Sequence, residues 1–161
     1  MIFKKPELED LPILRKYFEG LEFYNSGYTP GMMYLWAPFY NIEYAIVDDM
    51  VVCRAGKDKK RYSYPIGQGD AKAVLDQIIK ECEKDGTDFE MYGVTKDIEE
   101  KMVALYGDVF EVVYDRDNAD YVYLSEKLIS LSGKKLHSKR NHINRFIANH
   151  EWSYEPINDE N

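Results

Sequence analysis

Three stretches of this chain hold residues whose types and spacing could do chemistry. The first is Gly67-Gln68-Gly69-Asp70, directly ahead of an amphipathic run. Amides at a helix N-terminus can cradle a phosphate, and glycines let it come close. Asp70, however, stands at the cap itself. A carboxylate there takes the free amides and repels a diphosphate, while stabilising the helix by roughly 0.5–2 kcal/mol. The stretch therefore reads as a turn and N-cap, and no cofactor is assigned to it. The second stretch holds Lys134, Lys135, Lys139, Arg140 and Arg145, with no acid between Gly133 and His150. The rest of the chain is left with 16 basic against 29 acidic residues, a balance of −13. These five cations are the candidates for binding an anion. The third stretch, Asp115 to Asp120, places Asp115, Asp117 and Asp120 close together. It lacks the glycine and the distal bidentate glutamate of a calcium loop, so it reads as a turn with Asx hydrogen bonds.

Projecting residues 136–150 at about 100° per residue gathers Leu136, Ile143, Phe146 and Ile147 into one apolar stripe. Arg140 and Lys139 flank it, while His137, Asn141 and Arg145 point away. A cation beside a packed face is costly unless it meets an anion. Two partners fit Arg140: a carboxylate of the Asp115/Asp117/Asp120 turn, or an anionic ligand such as a phospholipid headgroup or a tRNA phosphate. For Lys134, Lys135 and Arg145 a solvated surface is the competing reading. Cys53 and Cys82 fall on apolar faces and read as buried thiols, and no metal-ligand spacing links them to His137, His142 or His150. No nucleophile elbow or nucleotide-binding fingerprint is present. Among fourteen tyrosines no spacing singles out a proton donor, Tyr121 and Tyr123 included. The catalytic residues stay unassigned.

The elements that must position these residues follow from periodicity and punctuation. At 161 residues, 45% hydrophobic and 31% charged, the chain reads as one globular domain. The net charge of −8 argues against simple electrostatic binding to nucleic acid. No apolar run reaches the ~18–20 residues of a membrane span, and Met1 to Pro6 does not resemble a secretory signal, so a cytoplasmic location is expected. A helix is expected from Glu9 or Asp10 to Glu19, a turn over Tyr28-Thr29-Pro30-Gly31 and a short helix over Met32–Trp36 within an aromatic stretch from Tyr24 to Tyr40. Strands at 42–47 and 51–55 form a hairpin about Asp48-Asp49, with a third strand at 61–66. The clearest helix follows Asp70 and ends at Gly86, burying Val74, Leu75, Ile78 and Cys82. A short strand at 89–92, a helix capped by Thr95, strands at 109–114 and 121–124, helices at 125–131 and 135–149 and a last strand at 152–154 complete the chain. This order gives an α/β (α+β) fold, a mixed, mostly antiparallel sheet with helices on both faces.

That layout is similar to the GNAT N-acyltransferase fold. The block from Asp115 through Tyr121-Val122-Tyr123-Leu124, followed by Leu131-Ser132-Gly133-Lys134-Lys135-Leu136-His137-Ser138-Lys139-Arg140-Asn141-His142, resembles bacterial proteins of the phosphatidylglycerol lysyltransferase C-terminal family. Tyr34-Leu35-Trp36 fits the same family. The resemblance implies one of two GNAT-like lobes in tandem, related to Fem-type aminoacyl transferases. Residues 1–132 would be the first lobe and 133–161 a basic connecting helix with a terminal strand, a second lobe being absent. It further implies a partner, either a second GNAT-like lobe or another copy of this chain, and a transferase activity that is incomplete alone. Acetyltransferases of that fold hold a coenzyme A diphosphate on a Q/R-x-x-G-x-G/A loop. At Pro65–Asp70 the upstream Arg or Gln is out of pattern, so standard acyl-CoA binding is not expected.

Overall fold

The unbroken apolar runs Tyr44–Val47 and Met50–Cys53 call for a sheet covered on both sides. β1 (Glu43–Val47) and β2 (Met50–Ala55) pair antiparallel, with Tyr44 opposite Cys53 and Ala45 opposite Val52. Asp48 and Asp49, at φ 48° and 55°, make the two-residue turn whose twist suits a hairpin. Met50, Val51, Val52 and Cys53 are all buried, so both faces of β2 carry a layer. Tyr44, Val51 and Cys53 pack against Leu14 and Phe18 of α1 (Leu11–Phe18) and Met33 of α2 (Pro30–Tyr40). Ala45, Met50 and Val52 pack against Val74, Ile78 and Cys82 of α3 (Ala71–Asp85). Cys53 and Cys82, both free and buried, thus lie on opposite sides of the sheet. In α4 (Lys96–Tyr106), Ile98 and Met102 close a third cluster with Leu75.

The computed structural model describes residues 1–21, 26–119 and 121–158. Tyr24 and Asp120 lie outside them. The chain divides into two compact units, Met1–Asp120 and Tyr121–Asn161. In the first, β2 also pairs antiparallel with β3 (Arg61–Tyr62) and β4 (Ile66–Gly67). The four strands are antiparallel throughout, rather than the mixed sheet expected, and Met91 joins Tyr62 only by an isolated parallel bridge. The second unit contains α5 (Ser125–Ser130) and α6 (His137–Asn149).

Several expected elements take a different form. The strand expected at 61–66 breaks into β3 and β4 because Pro65 has no N–H to give a ladder. Across the break, buried Ser63 receives the Cys53 amide on its hydroxyl at 2.9 Å. The helix expected at 32–36 runs from Pro30 to Tyr40, since Pro30 suits the first turn and Asn41 ends it in the left-handed conformation at φ 50°. Residues 89–92 contribute a single bridge rather than a strand. Residues 109–114, 121–124 and 152–154 form no strand. Among the described residues they find no ladder partner, and an extended run without one is not a strand. Phe110 is held against Phe89 and Tyr106.

Candidate functional site

The mouth of α3 is built by two close approaches. β4 runs beside the β1–β2 turn, and the Gln68 amide donates to the Asp49 carbonyl at 3.1 Å. A Cβ on Gly67 would lie 2.0 Å from the Asp49 oxygen, and one on Gly69 would lie 1.8 Å from the Asp48 oxygen. Both glycines are therefore accounted for by backbone packing. Asp70 Oδ1 accepts the amides of Lys72 at 2.9 Å and Ala73 at 3.2 Å. The amides that would meet a phosphate are held by the chain's own carboxylate. Further along α3, Asp76 receives Lys72 Nζ at 2.8 Å and the Tyr106 hydroxyl at 2.8 Å. These bonds, the lysine's first, hold its carboxyl below the ordinary value.

Two other polar groups support the sheet. Asp10 is buried, bonded to Lys4 Nζ at 2.7 Å and to the Glu7 amide at 3.0 Å. Burial pushes its carboxyl up, but the Lys4 and Glu7 bonds outweigh that and hold it below its usual value. Glu43 is held down likewise, by Arg54 at 2.7 Å and Lys60 at 3.4 Å against the upward push of burial. Both sets are structural ties between neighbouring elements.

The acidic turn is what its spacing suggests. Asp115 accepts the Asp117 amide at 3.0 Å and the Asn118 side chain at 2.5 Å, and the Asn118 bond foremost keeps its carboxyl low. Asp117 is exposed. Among the described residues no three His, Cys, Asp or Glu side chains converge as metal ligands.

In the second unit the periodicity of residues 136–147 is helical as expected, but no side chain of α6 is buried. Ile143 is 45% exposed and Phe146 and Ile147 are each 50% exposed. Arg140 is half-buried and donates to the carbonyls of Leu131 and Gly133, the latter at 3.1 Å. Leu131 ends α5 at φ 46°, so the guanidinium closes the corner between α5 and α6. Lys134, Lys135, Lys139 and Arg145 are exposed. A shallow groove not expected from the sequence is lined by His142, Arg145, Phe146, Asn149 and His150. The Phe146 and His150 rings stand 5.0 Å apart there. The i, i+3, i+4, i+7, i+8 spacing of these five residues would have revealed that face.

Residues 18–161 match the family described as phosphatidylglycerol lysyltransferase, C-terminal. This chain belongs to that family. A solved structure, a conserved protein of unknown function from Bacteroides thetaiotaomicron VPI-5482, superposes with a TM-score of 0.82 at 33% identity. The match covers 92% of this chain and 51% of that one, so this phosphatidylglycerol lysyltransferase C-terminal family member spans about half the length of its relative. No curated protein matches it. Among its described residues no helix is long and apolar enough to cross a membrane.

Proposed function

We propose that this chain is a GNAT-like lobe of an acyl- or aminoacyl-transferase, located in the cytoplasm and dependent on a partner for a complete active site. Residues 1–132 would form the lobe and residues 133–161 the connecting segment. The partner would be a second GNAT-like lobe or another copy of the chain. In such a transfer the acceptor amine or hydroxyl attacks an activated acyl carbon, loses its proton to a base, and the donor leaves with a proton restored. The observation that carries the dependence is the α3 mouth. Asp70 holds its amides and Gly67 and Gly69 are filled by the β1–β2 turn. A lobe built this way supports a site better than it supplies the donor pocket.

The test is thermal denaturation of the chain with millimolar acetyl-CoA and longer acyl-CoAs. No shift in melting temperature is expected. A saturable rise would place a donor site in this lobe and refute the reading.

A second reading rests on the acid-free basic segment. Lys134, Lys135, Lys139, Arg140 and Arg145 would dock an anion, a phospholipid headgroup or a tRNA phosphate, without chemistry of their own. If tRNA is the ligand, affinity must fall steeply with salt, about one power of salt concentration per phosphate neutralised. Salt-independent binding would remove it. Arg140 uses part of its five-donor fork on two carbonyls. The rival proposal pairs Arg140 with Asp115, Asp117 or Asp120 in place of a ligand, and a double-mutant cycle of Arg140→Ala with Asp115→Asn tests it.

A further inference from the structure

α2 is unusual in carrying no charged residue along Pro30–Tyr40. Met33 and Ala37 face the core, whereas Leu35 is 63% exposed, Trp36 40%, Phe39 73% and Tyr40 58%. The aromatic members are already gathered, with Trp36 5.6 Å from both Phe39 and Tyr40. Aromatic side chains carry ~150–250 Å² each, so with Met32 this face presents on the order of 600 Å² of apolar surface. That is most of the ~800 Å² per partner in a standard interface, and Trp and Tyr are the residue types that dominate such contacts.

The geometry points to α2 as a self-association face that packs on α2 of a second copy of this chain about a two-fold axis. The area fits a two-fold contact between copies, and charge restricts where such a contact can fall. Copies at a net charge of −8 repel each other over most of their surface, and so do copies and an anionic membrane. The contact that escapes this repulsion is one between two uncharged faces, and α2 supplies both halves of it. The inference refines the partner proposed above, another copy of the chain, by placing the contact on α2 rather than on α6.

Light scattering on the full chain across a concentration series tests it, beside a Leu35→Asp/Phe39→Asp variant and an Ile143→Asp/Phe146→Asp variant. All these positions are exposed, so circular dichroism should match the unsubstituted chain. The expected result is twice the 18.9 kDa chain mass for the unsubstituted protein and the α6 variant. The α2 variant should dimerise on the order of a hundredfold more weakly, each substitution counting twice by symmetry. A dimer lost only in the α6 variant would overturn the α2 contact while sparing self-association. A monomer throughout would overturn both. A monomer that sediments with phosphatidylglycerol vesicles, and loses this in the α2 variant, would assign the face to a membrane instead.

Discussion

Gly69→Ala is the sharpest probe of how the α3 mouth is built. Gly69, unlike Gly67, does not sit at a positive φ, so alanine there carries no left-handed strain. Reduced freedom of the unfolded chain alone would make the substitution stabilising by about 0.4–1 kcal/mol. Against this, the new Cβ would lie 1.8 Å from the Asp48 oxygen, when ordinary contact begins at 3.4 Å. The turn or β4 must give by about 1.6 Å, and the atom in the way is backbone, tied by the Gln68–Asp49 hydrogen bond. Overpacking of this kind costs roughly 1–3 kcal/mol or more. Net of the unfolded-state gain, and at roughly 2–4 °C per kcal/mol for a chain of this size, the melting temperature should fall by about 2–8 °C. Gly31→Ala is the control, since nothing lies within 4 Å of its Cβ position, and it should leave stability level or slightly raised. Calorimetry on the three proteins decides. If Gly69→Ala melts with or above the unsubstituted protein, the glycine is not there for packing, and the space beside Asp70 is open to a ligand after all.

Two further predictions rest on polar ties. Arg140→Ala should lower the helical signal and stability of the second unit by about 1 kcal/mol, through loss of charged hydrogen bonds to the Leu131 and Gly133 carbonyls. Lys135→Ala should change neither, and equal effects on circular dichroism and melting would remove the corner role. Acid should destabilise the first unit. The Asp10 and Glu43 carboxyls are held below their usual values, so their stabilisation is present above the unfolded values, 3.8 and 4.5, and is lost as pH falls through the folded ones. The melting-temperature gap between the unsubstituted chain and Asp10→Asn should therefore narrow between pH 7 and about pH 3. A gap that stays constant over that range would show that Asp10 is not held down.

What could be read from the sequence was set by local patterns. The continuous apolar runs of β1 and β2 and the i, i+3, i+4 positions of α3 each specify an element and what it buries. The Asp70 cap and the Asp48-Asp49 turn follow from chemistry within four residues. Pairing is not local, so composition alone does not decide which extended runs become strands. Val109–Tyr114 is rich in β-branched and aromatic residues, yet it finds no ladder partner among the described residues. α2 defeats pattern reading for the opposite reason. Nearly every residue is apolar, so nothing in the string says that Met33 and Ala37 turn inward while Leu35 and Phe39 turn outward. Periodicity places Arg140 at the edge of its helix's apolar stripe, but a Leu131 carbonyl freed by a left-handed residue leaves no trace in composition.

The two thiols give the sheet a built-in pair of clocks. Burial pushes Cys53 up to about 12, so in the closed protein it should resist alkylation, and its modification rate should measure how often α1 and α2 lift away. Cys82 reports on α3 from the other side. Rates that rise together in denaturant would mark one cooperative unit, whereas an early rise at Cys53 alone would show that the helical layer above it parts first.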